Sequence, residues 1–146
     1  MSGIRSAERS LRKSELEQIV DISGECYDLP HNRTELRDFL RRDDGMCYVA
    51  QPRDSSQVEG YLFFTICIDH IEVHDIAVEA QARRQGVGTS LVQQLLDSSK
   101  GFKSAIVCRV LETNLTGLNF FKSQGFRGRL DKKIGIDDII MERRTN

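Results

Sequence analysis

The chain has 146 residues, of which 39% are hydrophobic and 29% charged, and its net charge at pH 7 is −1. A chain of this length is expected to fold as a single domain, residues 1–146, around a sizeable core. The near-neutral charge argues against a nucleic-acid partner, and no apolar stretch is long enough for a membrane span or a signal-peptide core. We therefore predict a cytoplasmic protein with neither kind of partner, and the sequence leaves homodimer formation open.

N-cap patterns precede two predicted helices in the first third of the chain. Ser14, with Glu17 three residues later, forms a capping-box pattern, and apolar residues at helical spacing follow it. Pro30 prevents this helix from continuing through residues 27–32, which are predicted to form a loop. Thr34 is the predicted cap of the second helix.

The later elements alternate in a way that predicts an α+β fold. A helix is expected from Val87 to about residue 99 and another at 116–123, and strands are expected at residues 4–7, 46–51, 58–67, 71–78, 104–110, 126–130 and 136–141. The three strands between 46 and 78 can form an antiparallel meander, and the unit at 71–110 a right-handed parallel crossover. We predict a mixed, mostly antiparallel sheet of six to seven strands, flanked by about four helices.

The four cysteines are Cys26, Cys47, Cys67 and Cys108, and each lies in or beside an apolar segment. Their wide spacing matches neither a zinc site nor a redox pair. We predict free thiols that take part in packing, and no metal site.

A glycine-rich turn joins the predicted strand at 71–78 to the following helix. It reads Arg83-Arg84-Gln85-Gly86-Val87-Gly88 and is followed by Thr89. The first N–H groups of a helix lack intrahelical partners, and the helix dipole favours an anion in front of them. The two glycines would let a phosphate approach the backbone, and the two arginines suit phosphate oxygens. The turn predicts a diphosphate cradle; the alternative is an ordinary loop with solvated arginines.

Two familiar nucleotide motifs do not match this turn. A Walker A loop needs a lysine between the last glycine and Thr89, and none is present. A dinucleotide-binding fingerprint needs a glycine three positions after Gly88, where the chain has Leu91.

A second motif accompanies the cradle. The turn follows an Ala77-Val78 pair at the end of its strand, and Asn114 precedes a short predicted helix that ends in Gly125-Phe126. With these two motifs in this order, the chain resembles the GNAT superfamily of acetyl-CoA-dependent N-acetyltransferases. The resemblance implies a GNAT-type sheet in which the strands at 71–78 and 104–110 splay apart to hold the pantetheine arm of acetyl-CoA.

The resemblance also implies which residues bind acetyl-CoA, the acyl donor. The backbone of the strand end would hold the pantetheine arm, the amides of residues 84–89 the pyrophosphate, and a phenylalanine would pack near the thioester. Asn114 would contact the cofactor or fix the local backbone. The implied residues are Ile76, Ala77, Val78, Arg83, Arg84, Gln85, Gly86, Val87, Gly88, Thr89, Asn114, Phe120 and Phe121.

The implied reaction is direct attack of a primary amine on the thioester. Amines are largely protonated at neutral pH, so a general base is useful. Glu72 is the best candidate, since it lies five residues before Ala77, where the histone-acetylating branch of the family carries a basic glutamate. His74, two residues later, is a second candidate or a partner of Glu72. The alternative is an ordinary surface pair on the exposed face of a strand.

One residue departs from the family pattern. Many members have a tyrosine that is thought to protonate the leaving thiolate, and the matching position here is Phe121. Tyr48 or a water molecule could substitute. The acceptor would be the amine of a small molecule, peptide or protein N-terminus, with residues 27–32 and 129–138 shaping its site. A module that binds acyl-CoA without turnover is the alternative function, and transfer of a longer acyl group a third, weaker one.

Overall fold

The computed structural model describes residues 2–6, 11–26, 32–52, 55–131 and 138–145. In chain order, its elements are β1 Ser2–Ser6, α1 Lys13–Cys26, α2 Arg33–Arg41, β2 Gly45–Pro52, β3 Gly60–Ile66, β4 His70–Val78, α3 Val87–Ser99, β5 Ala105–Leu111, α4 Leu115–Ser123, β6 Arg127–Asp131 and β7 Asp138–Arg144. A short 3₁₀ turn at Ala80–Ala82, which the sequence pattern did not predict, follows β4.

All seven strands belong to one sheet, in the order β1-β2-β3-β4-β5-β7-β6. Five of its neighbouring pairs are antiparallel, and β4 pairs with β5 in parallel across α3. With the four helices of the described residues, this is the mixed α+β architecture that the sequence predicted.

Side-chain alternation along the strands creates a separate apolar cluster on each face of the sheet. On β3, Leu62 and Phe64 point into the cluster that α3 and α4 cover, whereas Tyr61 and Phe63 point into the cluster beneath α1 and α2. We call these the α3 face and the α1 face. The central strand β3 is therefore buried on both sides and anchors the strand next to it, β4.

The parallel pairing of β4 with β5 is short. It runs only from His70 opposite Ala105 to Val73 opposite Cys108, although β4 continues to Val78. β5 instead stays paired with β7 along its whole length. The two parallel strands thus diverge beyond Val73, as the resemblance implied, and leave one edge of β4 without a neighbouring strand.

The first helix begins earlier than predicted. Because α1 starts at Lys13, Ser14 lies inside its first turn and is not the cap. Glu15, and not Glu17, reaches back to the start of the helix, where its Oε1 accepts a hydrogen bond from the Arg12 amide at 3.0 Å.

The cap of α2 is Asn32 and not the predicted Thr34. Asn32 Oδ1 accepts the Glu35 amide at 2.9 Å, and Asn32 Nδ2 donates to Glu35 Oε1 at 2.6 Å. The first bond satisfies a backbone N–H group at the helix start, and the second holds the Asn32 side chain in place, so the helix begins after Asn32.

Several predicted segments lie outside the described residues. They include residues 27–31 and 132–137, the greater part of the two loops expected to shape the acceptor site. Strand β7 is described from Asp138 and extends to Arg144, beyond its predicted end at residue 141.

Candidate active site

The backbone of residues 83–86 folds into a concave turn in front of α3. Arg84 and Gly86 both adopt the left-handed conformation, with φ of 64° and 80°. Such residues alternating with ordinary ones turn successive N–H groups toward one point and form an anion-binding nest. Ser90 is the first α3 residue whose amide reaches a backbone carbonyl, that of Gly86 at 2.9 Å. Within the described chain, the amides of residues 84–89 donate to no backbone carbonyl.

The two glycines of this turn have different roles. A Cβ on Gly86 would meet no atom within 4 Å, so the space in front of it is open. A Cβ on Gly88 would lie 3.2 Å from Phe120 Cε1, so Gly88 allows α4 to pack against α3. The sequence assigned both glycines to phosphate approach; for Gly88 the structure supplies helix packing as the reason.

The arginines of the turn also differ. Arg83 turns back, donating from Nε to the Val78 carbonyl at 3.2 Å and from Nη2 to Cys26 Sγ at 3.2 Å. Arg84 is exposed and has no ion pair within the described residues. The guanidinium available to a phosphate is therefore that of Arg84, whereas Arg83 fastens the end of β4 to the end of α1.

Two other predicted ligands of the turn are engaged through their side chains. Gln85 Nε2 donates to the Gln81 carbonyl at 3.3 Å. Thr89 Oγ1 accepts a hydrogen bond from Gln124 Nε2 at 3.0 Å. Both residues are exposed, so their backbone amides can still face a ligand.

The end of β4 leads directly into this turn. Ile76 and Val78 pair with Leu62 and Gly60 of β3, and no described strand pairs with the opposite edge of β4 at this level. An extended ligand chain could add to that edge as a further strand. The open edge ends where the amides of the turn begin.

The three predicted residues of α4 lie beside the turn. Asn114 caps the helix, since its Oδ1 accepts the Gly117 amide at 3.0 Å, so it fixes the local backbone. Phe120 is half-buried against Gly88. Phe121 is buried in the α3-face core, 5.2 Å from the Phe126 ring. Of the two phenylalanines, Phe120 is the one next to the cradle.

Glu72 lies on the α1 face just before β4 and β5 diverge. It is half-buried and pairs with Thr65 on β3 and Val107 on β5. His74 Nε2 lies 2.8 Å from Thr65 Oγ1, within hydrogen-bonding distance. The structure therefore brings Glu72 and His74 together on either side of Thr65.

A β-bulge gives His74 its position. Phe64 pairs with Val73 but Phe63 pairs with Asp75, which leaves His74 as the extra residue of the strand. Its exposed ring packs edge-on against Phe39 of α2, 5.4 Å between centroids. Bulges re-aim side chains next to functional sites.

Asp75 is a site residue that the sequence reasoning missed. It is 6% exposed, and its Oδ2 accepts a hydrogen bond from the Tyr61 hydroxyl at 2.8 Å. It follows the bulge, at the level where the parallel strands separate. A carboxylate within the apolar strand was the available signal.

The carboxyl groups of this region affect the pKa of a neighbouring thiol, that of Cys108. Burial raises the pKa of Cys108 to about 12, and the charges of Asp75 and Glu72 add to the effect. Cys108 is therefore protonated at neutral pH and is a poor nucleophile.

Tyr48 is not part of this site. Its hydroxyl donates to Ser98 Oγ at 3.1 Å, near the end of α3 that is remote from the cradle. Its ring packs against Phe64 in the α3-face core, whereas Glu72 points to the α1 face. That Tyr48 could protonate the leaving group stays a prediction, and its place in the α3-face core, away from Glu72, gives it no support.

One group of side chains in the described residues could share a metal ion. Donor atoms of Cys67, His70 and Glu72 all lie within 4.8 Å of one another at the β3–β4 hairpin. His70 Nδ1 is already 2.8 Å from Asp69 Oδ1. The predicted absence of a metal site stays a prediction.

No helix among the described residues is both long and apolar enough to span a membrane.

Solved structures of low sequence identity share this fold over nearly the whole chain. The ribosomal-protein-S18-alanine N-acetyltransferase of Escherichia coli is 19% identical, with a TM-score of 0.80 over 100% of this chain and 95% of that one. Arabidopsis thaliana NAA60, solved with acetyl-CoA, is 14% identical, with a TM-score of 0.77 over 99% of this chain and 98% of its own. The PaiA N-acetyltransferase of Thermoplasma acidophilum, solved with coenzyme A, is 16% identical, with a TM-score of 0.75 over 97% and 99%.

No curated protein sequence matches this chain. The sequence model of the acetyltransferase (GNAT) family matches residues 16–126, which include most of α1, the diverging strands and the glycine turn. The chain therefore belongs to the acetyltransferase (GNAT) family.

Proposed function

We propose that this protein transfers the acetyl group of acetyl-CoA to a primary amine of a small molecule, peptide or protein N-terminus. The observation that carries the proposal is the continuity between the open edge of β4 and the amides of residues 84–89. The first suits the extended pantetheine arm and the second the pyrophosphate. Family membership, and relatives solved with acetyl-CoA or coenzyme A, support acetyl-CoA as the donor.

Glu72 is the proposed general base. The amine nitrogen attacks the thioester carbonyl, a C–N bond forms, and the amine proton passes to the Glu72 carboxylate directly or through water. The C–S bond then breaks, and coenzyme A leaves as a thiolate that takes a proton from water. Phe121 has no proton to give, but a thiol with an ordinary pKa of about 8.5 is a fair leaving group.

His74 is the proposed positioning residue. Its hydrogen bond to Thr65, the cross-strand neighbour of Glu72, ties the bulge to the base. The Asp75 carboxyl group lies on the same strand, where it is buried and hydrogen-bonded to the Tyr61 hydroxyl. The amine attacks in its neutral form, and Glu72 takes the proton that the nitrogen releases as the C–N bond forms.

Replacement of Glu72 by glutamine tests the base. We expect Glu72→Gln to lower kcat by about 10²-fold, with the KM for acetyl-CoA unchanged, since one general base typically contributes about 10²–10⁴-fold. Release of coenzyme A thiol from acetyl-CoA is measured across a panel of amines and a range of pH. Glu112→Gln, which removes an exposed carboxylate at the end of β5, is the matched control and should retain full activity. An unaltered kcat and pH profile in Glu72→Gln would remove Glu72 from this role.

A second candidate is a module that binds acyl-CoA without turnover. Phe121 favours it, because the position lacks the hydroxyl that many relatives carry. Tight binding of acetyl-CoA with no thiol release above hydrolysis, for any amine in the panel, would identify the module and reject the transferase.

A further inference from the structure

The last two strands of the sheet border a cavity rich in arginine. Its volume is about 550 Å³, and its lining includes Arg127, Arg129, Arg143 and Arg144, with Glu142 as the one carboxylate among the described residues that line it. The chain as a whole carries a net charge of −1, so a group of four arginines with one glutamate departs from its overall balance of charges. A concave surface lined by one sign of charge attracts ligands of the opposite sign.

Three of these guanidinium groups have no protein partner in the described part of the chain. Arg127, Arg129 and Arg144 are exposed and make no side-chain hydrogen bond or ion pair there. Arg143 differs, since it donates to the Gln124 carbonyl at 2.6 Å and thereby holds the end of α4. Three cations in one cavity repel one another, so an anionic ligand would relieve that repulsion as well as pair with them.

The strand register connects this cavity to the proposed base. Glu72 pairs with Val107, Val107 with Glu142, and Glu142 with Arg127. Directly paired residues project from the same face of a sheet, so Glu72 and Arg127 are both on the α1 face. Three strand spacings of roughly 4.8 Å separate their backbones by about 14 Å, a distance that about four residues of extended chain span.

We propose that this cavity binds the acidic side chains of a peptide or protein acceptor, a few residues beyond the amine that is acetylated. This inference rests on the proposed function. The reach from Glu72 to Arg127 puts the acidic residues at about the third to fifth position of an acceptor N-terminus. A second row on the same face consists of Arg109, the buried Ile140 and Arg129, and it lies nearer the level where β4 and β5 separate.

The cavity favours carboxylates over a nucleic acid. Nucleic-acid surfaces are broad basic stripes on proteins of high net positive charge, whereas this chain is slightly acidic overall. Glu142 also stands among the arginines and would repel a continuous phosphate backbone, while separate carboxylates can pair with the arginines on either side of it.

Equilibrium binding to the full chain with coenzyme A present tests the cavity without requiring turnover. The probe is a ten-residue peptide with a free N-terminal alanine, glutamates at positions three to five and a fluorescent label at its C-terminus. Its matched partner has glutamines at those three positions. We expect the acidic peptide to bind at least fivefold more tightly at low salt, since each exposed charge pair contributes about 0.2–1 kcal/mol.

The variants decide where the preference originates. Arg127→Gln/Arg129→Gln should abolish the difference between the two peptides. Arg37→Gln/Arg41→Gln removes the same charge from the exposed side of α2 and should leave the difference intact. Equal binding of both peptides, a preference that survives Arg127→Gln/Arg129→Gln, or tighter binding of a single-stranded oligonucleotide of equal charge would each overturn the proposal.

Thiol release from acetyl-CoA with the same two peptides separates this proposal from the reaction on which it rests. Charge-dependent binding without thiol release would retain the acidic-ligand cavity and reject the transferase. Thiol release that is equal for the two peptides, with equal Kd values, would retain the transferase and reject the cavity. Support for both the transferase and the acidic-ligand cavity requires thiol release with a lower KM for the acidic peptide than for its glutamine partner.

Discussion

The starts of α1 and α3 both suit a negative charge. At α1 the protein supplies that charge itself, and at α3 we propose that a ligand supplies it. At the start of α1, the buried carboxylate of Glu15 is held by the Arg5 guanidinium, the Arg12 amide at 3.0 Å and Gln51 Nε2 at 2.9 Å. At the start of α3, the amides of residues 84–89 have no backbone partner in the described chain. The first place is complete in the folded chain, and we propose that the second binds the diphosphate of acetyl-CoA.

The difference shows how a fold divides its polar groups between stability and function. Burial alone would raise the pKa of Glu15, but the Arg12 amide and the Arg5 guanidinium outweigh it and hold that pKa below its ordinary value of 4.5. The carboxylate is thus better solvated by the protein than by water. The turn before α3 instead keeps one non-glycine residue, Arg84, in the left-handed conformation, which costs free energy in the unliganded protein.

Supplying the cradle with a carboxylate of its own should give the largest effect. Gly86→Asp places a negative charge in the open space before the amides, and we expect the Kd for acetyl-CoA to rise by about 100-fold or more, about 2.7 kcal/mol. Isothermal titration calorimetry measures it.

Gly86→Asn is the control for that variant. It carries the same conformational cost at φ of 80° and nearly the same side-chain shape, without the charge. Its Kd should rise only a few-fold. Equal losses in the two variants would mean that backbone strain, and not charge, explains the effect, and an unchanged Kd in Gly86→Asp would dismiss the cradle. Gly88→Asp is less informative, because its side chain would collide with Phe120.

Removing the charge of Glu15 at the start of α1 should change the stability of the protein and not its affinity for acetyl-CoA. Glu15→Gln leaves Arg5 without its ion pair, and we expect the free energy of unfolding to fall by about 1–3 kcal/mol. The Kd for acetyl-CoA should not change. Chemical denaturation with calorimetric binding on the same samples checks both. A loss of affinity would show that the two places are coupled.

The pH dependence of stability should reflect the ionisation of the Glu15 carboxylate. A group whose pKa is lowered by folding contributes stability above its unfolded value, here 4.5, and loses it as the pH falls through the lower folded value. The difference in Tm between the wild type and Glu15→Gln should therefore be greatest near neutral pH and shrink below about pH 4. A constant difference from pH 7 to pH 3 would show that packing, and not ionisation, accounts for the effect.

The glycine turn and the helix start at Val87 were predictable because their signals are local. The separation of the parallel strands follows once the family resemblance is drawn. Simple alternation places Glu72 and His74 on one face; in the structure His74 lies 2.8 Å from Thr65 Oγ1, and Thr65 is the cross-strand partner of Glu72. The bulge that gives His74 this position has no local signature in the sequence.

What escaped prediction depends on contacts between distant segments. Glu15 reads as an ordinary helix glutamate until Arg5 and Gln51 are folded against it. Tyr48 was a reasonable acid by residue type, but the strand face on which it lies is set by pairing with β3. The arginine cavity likewise forms only once β6 and β7 are in register.

Salt should have a smaller effect, and it should act on acetyl-CoA binding at the start of α3 but hardly on the stability contributed by Glu15 at the start of α1. The cradle is exposed, so its attraction for a diphosphate is screened when the Debye length falls from about 10 Å at 0.1 M to about 3 Å at 1 M. We expect the Kd for acetyl-CoA to rise several-fold over that range. The stability difference between the wild type and Glu15→Gln should hardly change, because a buried charge is screened much less. Affinity that is independent of salt would indicate that apolar contacts to the pantetheine arm, and not the amides and Arg84, dominate binding.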